Sequence, residues 1–387
     1  MPVYANYAAT SPALSRTVVK ELCEYLGGTH LNAGRNFEGL EAGAIALRAR
    51  KAIAGLFGLA DPLRVAFTSG ATQALNMAIN GLVVEGCHVL ATSVEHNAAA
   101  RPLEALRKNG VIELDWLQCA ADGSLDAGTL RKALKKNTRL LVMSHASNVL
   151  GTILPVTECF NIAREHGVFT VLDAAQTAGV LPFAAGDSCD VLVFAGHKGL
   201  GGLAGSGGLV LGEAACRETR QWMSGGTGSV SHSLDMPGFM PDRFEPGTQN
   251  TIGMLGLAVS VEEILRAGVE KVRERERGLT ARFLSGLTAI KGVRPCGTLD
   301  PDRCVSVVSL VVEGRGAGEV SRLLFEKDGI ITRSGLHCSP LAHRTCGTFP
   351  DGTVRFSFGR GTTEKEIDTA LDALSRQARH PPGGQPL

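Results

Sequence analysis

Two hydrophobic patterns alternate along the chain between about residue 38 and residue 212. Short apolar runs rich in β-branched residues are separated by longer segments with helical periodicity. The apolar runs are RVAFT from residue 64, HVLAT from 88, RLLVMS from 139, VFTVLD from 168 and DVLVFAG from 190. This alternation predicts parallel strands joined by right-handed helical crossovers, and therefore an α/β fold with a doubly wound, mostly parallel sheet.

The pattern changes after residue 198. A Gly-rich stretch (199–208) and a polar segment reaching about residue 250 carry little periodicity, which predicts loops around a site. The elements predicted beyond them are a long helix from about Leu255 through Thr288, strands near 305–312, a helix near 317–328, a loop over 333–350, a strand at 353 and a last helix from about Thr363. They indicate a smaller α+β domain.

The length of 387 residues favours two domains, because a single core rarely grows so large. The expected units are an N-terminal segment (1–15), a large domain (16–255), a small C-terminal domain (256–380) and a disordered Pro/Gly-rich tail (381–387).

Composition narrows the classes of partner. The 39 Lys and Arg residues nearly balance the 38 Asp and Glu residues, and no basic run interleaved with aromatic residues occurs, so nucleic acid is not an expected partner. The N-terminus lacks the build of a signal peptide and no stretch of about 18 apolar residues occurs, so we expect a soluble, cytoplasmic protein without a membrane partner. The ten cysteines stand singly, which favours neither a metal site nor a disulfide framework.

Each predicted strand ends in a polar or Gly-bearing group. These groups are TSGAT, SVEHN, HASN, DAAQ and GHK. Ligands of doubly wound sheets collect beyond the carboxyl ends of the strands, so the five groups predict one site. An ordinary loop is the alternative for any one of them.

Lys198 follows the apolar run VLVFAG directly and opens into a Gly-rich loop. A partly desolvated lysine has a lowered pKa, and its free amine attacks aldehydes, so this position suits a Schiff-base lysine. A solvent-exposed lysine is the alternative.

Asp173 ends another buried strand, where a carboxylate needs a cationic partner such as a protonated pyridine nitrogen; the alternative is a helix N-cap. Gln176 lies one turn further on and suits a ring hydroxyl.

TSGAT leads a strand into a helix, with Gly70 permitting a tight turn, and a helix start of this kind binds phosphate. It is not a Walker A loop, since no G-x-x-x-x-G-K-[ST] occurs.

His96, in SVEHN, suits stacking on a cofactor ring and proton exchange with substrate, although a lone histidine is often only a satisfied polar group.

Together these segments resemble the class V, fold type I enzymes that use pyridoxal 5'-phosphate (PLP), and within them the cysteine desulfurase and selenocysteine lyase branch. The matching segments are NYAAT (6–10), FTSGAT, VEHNA, HASNVLGT (145–152), DAAQTAG (173–179), AGHKGLGG (195–202), FEPGTQNT (244–251) and RSGLHCSP (333–340). They follow the family's order over essentially the whole chain.

The resemblance implies a role for each matching residue. Lys198 is similar to the Schiff-base lysine, Asp173 to the pyridine-nitrogen partner, Gln176 to the ring-hydroxyl ligand and His96 to the stacking imidazole. The implied phosphate ligands are Gly70, Ala71, Thr72 and His197, with Gly247 and Thr248 supplied by the second subunit of a homodimer. The implied substrate ligands are Asn148 and Arg355, with Arg333 in the catalytic loop.

The chain departs from the family pattern at three points. Ala195 stands where a Ser or Thr hydroxyl usually binds the phosphate, and Ala71 stands where many members have a second Thr. Each loss should weaken cofactor binding by about 1 kcal/mol. The stretch between Cys338 and Arg355 also differs in length from the common pattern.

Cys338 lies in RSGLHCSP close to Arg333 and His337, and nearby positive charge favours a thiolate. The resemblance implies that L-cysteine is converted to L-alanine while its sulfur passes to Cys338 as a persulfide, and that a thiol or a protein accepts the sulfur. Selenocysteine lyase and class V aminotransferase are alternative activities. A non-catalytic protein on this fold is a further alternative, because fold alone does not fix function.

Overall fold

The computed structural model describes residues 2–28, 40–185 and 188–379; the predicted tail (381–387) lies outside them. The strands are β1 (Val3–Tyr4), β2 (Val65–Thr68), β3 (Cys87–Thr92), β4 (Ile112–Leu117), β5 (Thr138–Ser144), β6 (Phe169–Asp173), β7 (Val191–Ala195), β8 (Gly207–Leu211), β9 (Val293–Cys296), β10 (Val307–Val312), β11 (Ile330–Ile331), β12 (Arg333–Gly335) and β13 (Thr353–Ser357). The helices are α1 (Arg16–Leu26), α2 (Leu40–Leu56), α3 (Ala71–Leu82), α4 (Asn97–Lys108), α5 (Ala127–Ala133), α6 (Val156–Glu165), α7 (Glu213–Glu218), α8 (Thr251–Ala267), α9 (Val269–Leu287), α10 (Ala317–Asp328), α11 (Pro340–Thr345) and α12 (Glu364–Arg379).

A seven-stranded sheet in the order β2-β8-β7-β6-β5-β3-β4 forms the centre of the larger part of the chain. The pairs from β7 to β4 along this order are parallel, which confirms the predicted α/β fold with a mostly parallel sheet. Its inner strands are buried on both faces, which is why they read as continuous apolar runs. The chain progresses outward in both directions from the junction of β3 and β5, so the strand ends there border a crevice suited to ligands.

The prediction of loops after residue 198 was wrong at β8. The strands predicted before residue 198 also omitted the edge strand β4. Strand β8 lies antiparallel between β2 and β7. Its two glycines interrupt the apolar pattern that identifies a strand, but close packing requires them. A Cβ on Gly207 would lie 2.6 Å from the Cα of Gly70, and one on Gly208 would collide with the carbonyl oxygen of Ala66.

The single helix predicted from Leu255 to Thr288 is two helices, α8 and α9, because the chain turns at Gly268 with φ of 88°. Buried residues of α8 join the core beneath the large sheet, whereas those of α9 pack with a four-stranded antiparallel sheet ordered β12-β13-β10-β9. The packing therefore changes at residue 268. The proposed domain limits of 255 and 256 stay a prediction.

The predicted loop over 333–350 also contains regular structure. Strand β12 pairs antiparallel with β13, and the short helix α11 starts at Pro340, a residue suited to a first helical position. No helix in the described part of the chain is long and apolar enough to cross a membrane.

Candidate active site

One cavity of about 330 Å³ lies at the carboxyl ends of the large sheet's strands. It brings together eleven of the predicted site residues: Gly70, Ala71, Thr72, His96, Asn148, Asp173, Gln176, His197, Lys198, Arg333 and Arg355. The residues come from five strand ends and from the smaller sheet, which explains how they meet although they are far apart in sequence.

The turn before α3 forms one end of the cavity. Gly70 precedes the helix, and the first N–H groups of a helix have no partner within it, so those of α3 are available to an anion at this end of the cavity. Thr68 Oγ1 donates to the carbonyl oxygen of Gly70 at 2.9 Å, and Ser69 donates to Gln73 Oε1 through its N–H and its hydroxyl. These bonds hold the turn in shape.

Lys198 lines the cavity after β7, and the N-terminal segment holds its backbone. Ser11 Oγ donates to the Lys198 carbonyl oxygen at 2.8 Å, and His197 Nδ1 lies 3.1 Å from Thr10 Oγ1. Burial lowers the pKa of Lys198 to about 8, an effect that the nearby charge of Asp173 opposes. The amine is therefore partly unprotonated near neutral pH.

Asp173 is buried at the end of β6, where burial raises its pKa and Lys198 acts in the opposite direction. Its Oδ1 accepts from Ala175 N–H at 2.9 Å, the bond expected of a cap, but turns follow rather than a helix. No other hydrogen bond reaches this carboxylate from the described residues. Gln176 donates to the Ala8 carbonyl oxygen at 3.1 Å, which leaves its second amide hydrogen unused.

His96 caps α4, and its Nδ1 accepts from Ala98 N–H at 3.0 Å, so the neutral ring carries its proton on Nε2. Burial lowers the pKa of His96 to about 4, and Lys198 and Arg333 add to this effect. The imidazole, which lines the cavity, is thus neutral at physiological pH and has its N–H donor on Nε2.

Arg355 is 1% exposed and belongs to β13. Its two terminal nitrogens donate to the Asn148 carbonyl oxygen at 2.9 Å and to Asn6 Oδ1 at 3.2 Å, but its Nε has no hydrogen-bond partner. Burial, assisted by the nearby charge of Arg333, lowers the pKa of Arg355 to about 9.

Cys338 is exposed, and its Sγ lies 3.5 Å from Nη2 of Arg333, a residue that lines the cavity. Its φ of 59° follows a φ of 49° at His337, a strained conformation for residues other than glycine. The amide of Asn148 bonds to the residues on both sides of it: Nδ2 donates to the His337 carbonyl oxygen at 2.8 Å, and Oδ1 accepts from the Ser339 side-chain hydroxyl at 2.6 Å. In this structure Asn148 therefore clamps the cysteine loop, and its predicted contact with substrate stays a prediction.

The predicted phosphate ligands Gly247 and Thr248 are exposed and do not line the Lys198 cavity of their own chain. Thr248 borders a separate cavity of about 320 Å³. The buried ion pair of Glu245 with Arg50 anchors this segment, and Glu245 also accepts from Phe67 N–H at 2.6 Å.

A family model described as aminotransferase class-V matches residues 3–370. The chain belongs to the class V aminotransferase family. A probable cysteine desulfurase of Methanothermobacter thermautotrophicus is 29% identical over 385 residues, covering 97% of this chain and 94% of the relative. A cysteine desulfurase of Escherichia coli is 32% identical over 320 residues, covering 80% and 77%.

Solved structures agree with this membership. The apo cysteine desulfurase of Thermococcus onnurineus superposes with a TM-score of 0.91 at 28% identity, over 98% of this chain and 95% of the other. The Escherichia coli cysteine desulfurase CsdA superposes with a TM-score of 0.86 at 24% identity, over 98% and 95%, which supports the fold alone.

Sequence reasoning missed two residues that shape the site of this class V chain. Asn6 contacts Arg355, and Glu95 is a fully buried carboxyl beside His96. Glu95 accepts from the N–H of Ser144 at 2.9 Å and from its Oγ at 2.8 Å. Both residues stand inside matched segments, NYAAT and VEHNA, but nothing in their spacing indicates their contacts.

Proposed function

We propose that this protein is a PLP-dependent cysteine desulfurase that converts L-cysteine to L-alanine and passes the sulfur to Cys338. The observation that carries the proposal is the one cavity that Lys198, with its lowered pKa, lines together with the buried Asp173 and with Arg355. Cysteine desulfurases are also the relatives that match most of the chain.

The cavity offers a partner for each part of PLP. The start of α3 suits the phosphate, and Asp173, short of hydrogen bonds, suits a protonated ring nitrogen. His96 suits the face of the ring. Bound PLP would supply an electron-withdrawing ring that stabilises negative charge on the α-carbon of the amino acid.

Lys198 and the two arginines handle the substrate. An amine with a pKa of about 8 is available in part to take the α-proton and to return it. Arg355, assisted by Arg333, suits the substrate carboxylate, because a guanidinium binds a carboxylate through two parallel hydrogen bonds.

Cys338 then receives the sulfur. Its thiolate attacks the sulfur of the substrate, an S–S bond forms, and the bond between carbon and sulfur breaks. The electron pair of that bond stays with the carbon skeleton, which takes up a proton on the way to alanine. Cys338 is left as a persulfide. Its exposure makes the persulfide accessible to an acceptor thiol, small or carried by a protein.

Two variants test the proposal. Lys198→Ala should lose the visible absorption of the lysine-bound cofactor. Cys338→Ser should keep that absorption but release no alanine or sulfide from L-cysteine, and Cys346→Ser is its matched control with retained activity. Full-rate sulfide release by Cys338→Ser would refute the role of Cys338. Activity restricted to selenocysteine, or to an amino acid with a keto acid, would favour the lyase or the aminotransferase instead.

The proposed homodimer shares its sites, with Gly247 and Thr248 reaching the phosphate of the partner subunit. Their exposure outside their own Lys198 cavity supports this arrangement. A mixing experiment tests it. Lys198→Ala and Thr248→Glu should each be inactive alone, whereas mixed dimers should regain one intact site. No recovery in verified mixed dimers would contradict a shared site.

A further inference from the structure

A second cavity, of about 380 Å³, lies behind Lys198. It shares Ala8, Gln176 and Lys198 with the site described above, so these residues form a common wall. Its other walls come from residues 11–15, from α8 and α9, and from the segment that follows β13. Apart from this common wall, nothing in the proposed reaction uses this rear cavity.

The rear cavity contains two opposite charges that lack direct partners. Glu276, on α9, is only 5% exposed, and no described residue donates a hydrogen bond to its carboxylate. Arg360 follows β13, and its guanidinium makes neither a hydrogen bond nor an ion pair with any described residue. It packs against Gly201, where an added Cβ would collide with Nη2.

The two charges influence each other across the cavity without touching. Burial raises the pKa of Glu276 to about 7, and Arg360 is the cation that opposes this effect most. Burial likewise lowers the pKa of Arg360, and Glu276 opposes that. Glu276 is buried and Arg360 is half-buried. A charge held away from water without hydrogen bonds is costly, so both groups gain from a ligand that supplies the opposite charge to each.

We propose that the rear cavity binds a small zwitterionic α-amino acid, its carboxylate on Arg360 and its ammonium group on Glu276. A simple anion would leave Glu276 facing negative charge, and a simple cation would leave Arg360 facing positive charge. Glu263, which also lines the cavity, adds to the acidic side. The volume lies within the range of small-molecule sites, roughly 300 to 1,000 Å³. The inference goes beyond the desulfurase proposal and does not depend on it.

The test uses N,N-dimethylglycine as the probe. Its protonated tertiary amine keeps the positive charge and one N–H but forms no imine with PLP, so the probe separates rear binding from the reaction. Calorimetric titration of the holoenzyme should detect binding that weakens at least tenfold in Glu276→Gln and in Arg360→Met. Glu274→Gln, which alters an exposed residue on the same helix, is the matched control and should bind like the wild type.

Two further measurements make the result decisive. Glu276→Gln is nearly isosteric, and unchanged thermal unfolding would establish that it folds; Arg360→Lys keeps the charge and should lose less affinity than Arg360→Met. A crystal soaked with the probe should show it between Glu276 and Arg360. Unchanged affinity in both neutral variants, or density only beside Arg355, would overturn the proposal. Failure of the desulfurase assignment would leave this binding intact.

Discussion

Arg333 on β12 and Arg355 on β13 stand directly opposite each other across an antiparallel pair. Like charges in this position repel, and the pKa of Arg355 is lowered by burial and by Arg333. Neither guanidinium pairs with a carboxylate among the described residues. An anionic ligand at the two arginines relieves the repulsion, which is why we propose this pair for the substrate carboxylate.

Replacing Arg355 by Gln should therefore impair substrate capture. A charge-assisted hydrogen bond contributes about 1.5–3 kcal/mol, so kcat/KM for L-cysteine should fall about 10- to 150-fold, mainly through KM. Steady-state alanine release measures this. Arg294→Gln, an exposed arginine of the same sheet, is the control and should leave KM unchanged. An unchanged KM in Arg355→Gln would rule out the carboxylate role.

The pKa of about 8 for Lys198 predicts how capture of PLP by the apo protein depends on pH. The neutral amine is the reactive form, so the capture rate should rise with pH and reach half its maximum near pH 8. Stopped-flow absorbance after mixing with PLP provides the measurement. Asp173→Asn removes a charge that raises the pKa of Lys198, and its midpoint should shift to lower pH. A wild-type rate that continues to climb toward pH 10 would contradict the prediction.

Because Asn148 bonds to His337 and Ser339, the residues that flank Cys338, we expect it to hold Cys338 in position for sulfur transfer. Asn148→Ala leaves the His337 carbonyl oxygen and Ser339 hydroxyl without these partners, at a cost of about 1–3 kcal/mol for each buried group left unsatisfied. Sulfur transfer to Cys338 should slow at least tenfold while the cofactor absorption remains. Persulfide trapping on Cys338 measures the transfer. Ser339→Ala, which removes one bond of the clamp, should give a smaller effect; equal rates in all three proteins would exclude the clamp.

The sequence predicted the parallel strands and their polar ends because both have local causes. Strands such as β5 are continuous apolar runs, and Asp173 and Lys198 directly follow strands that pass through the core. Chain order and the sheet's connectivity then bring these ends together. Eleven of the predicted site residues consequently share one cavity.

What the sequence did not predict depends on packing between distant segments. Strand β8 is rich in glycine because Gly70 and Ala66 lie close to it, a constraint with no local signature. The Asn148 clamp joins residues about 190 positions apart, and Glu276 and Arg360 face one cavity from different elements. Such relationships emerge only when the chain is folded.

The fully buried Glu95 predicts a change of stability with pH. Burial raises its pKa from 4.5 to about 7 in the folded protein, so the folded state binds more protons than the unfolded state between these values. Stability contributed by this residue should fall as pH rises through that window, by at most about 1.4 kcal/mol per pH unit. Urea unfolding of apo wild type and Glu95→Gln at pH 5, 6 and 7 tests this. The free energy of unfolding of Glu95→Gln minus that of the wild type should increase steadily from pH 5 to pH 7. A difference independent of pH would be inconsistent with the titration of Glu95.

A substitution at Ala195 should increase the affinity for PLP. Ala195 is buried at the end of β7 and lines the cavity, at a position where the family resemblance implies a hydroxyl on the phosphate. Ala195→Ser should add one neutral hydrogen bond of about 1 kcal/mol and tighten PLP binding about fivefold. Equilibrium titration of the apo protein measures the affinity. Pyridoxal, which lacks the phosphate, is the matched control ligand and should bind both proteins equally. An equal gain for both ligands would place the new hydroxyl away from the phosphate and refute the explanation offered for this departure from the family.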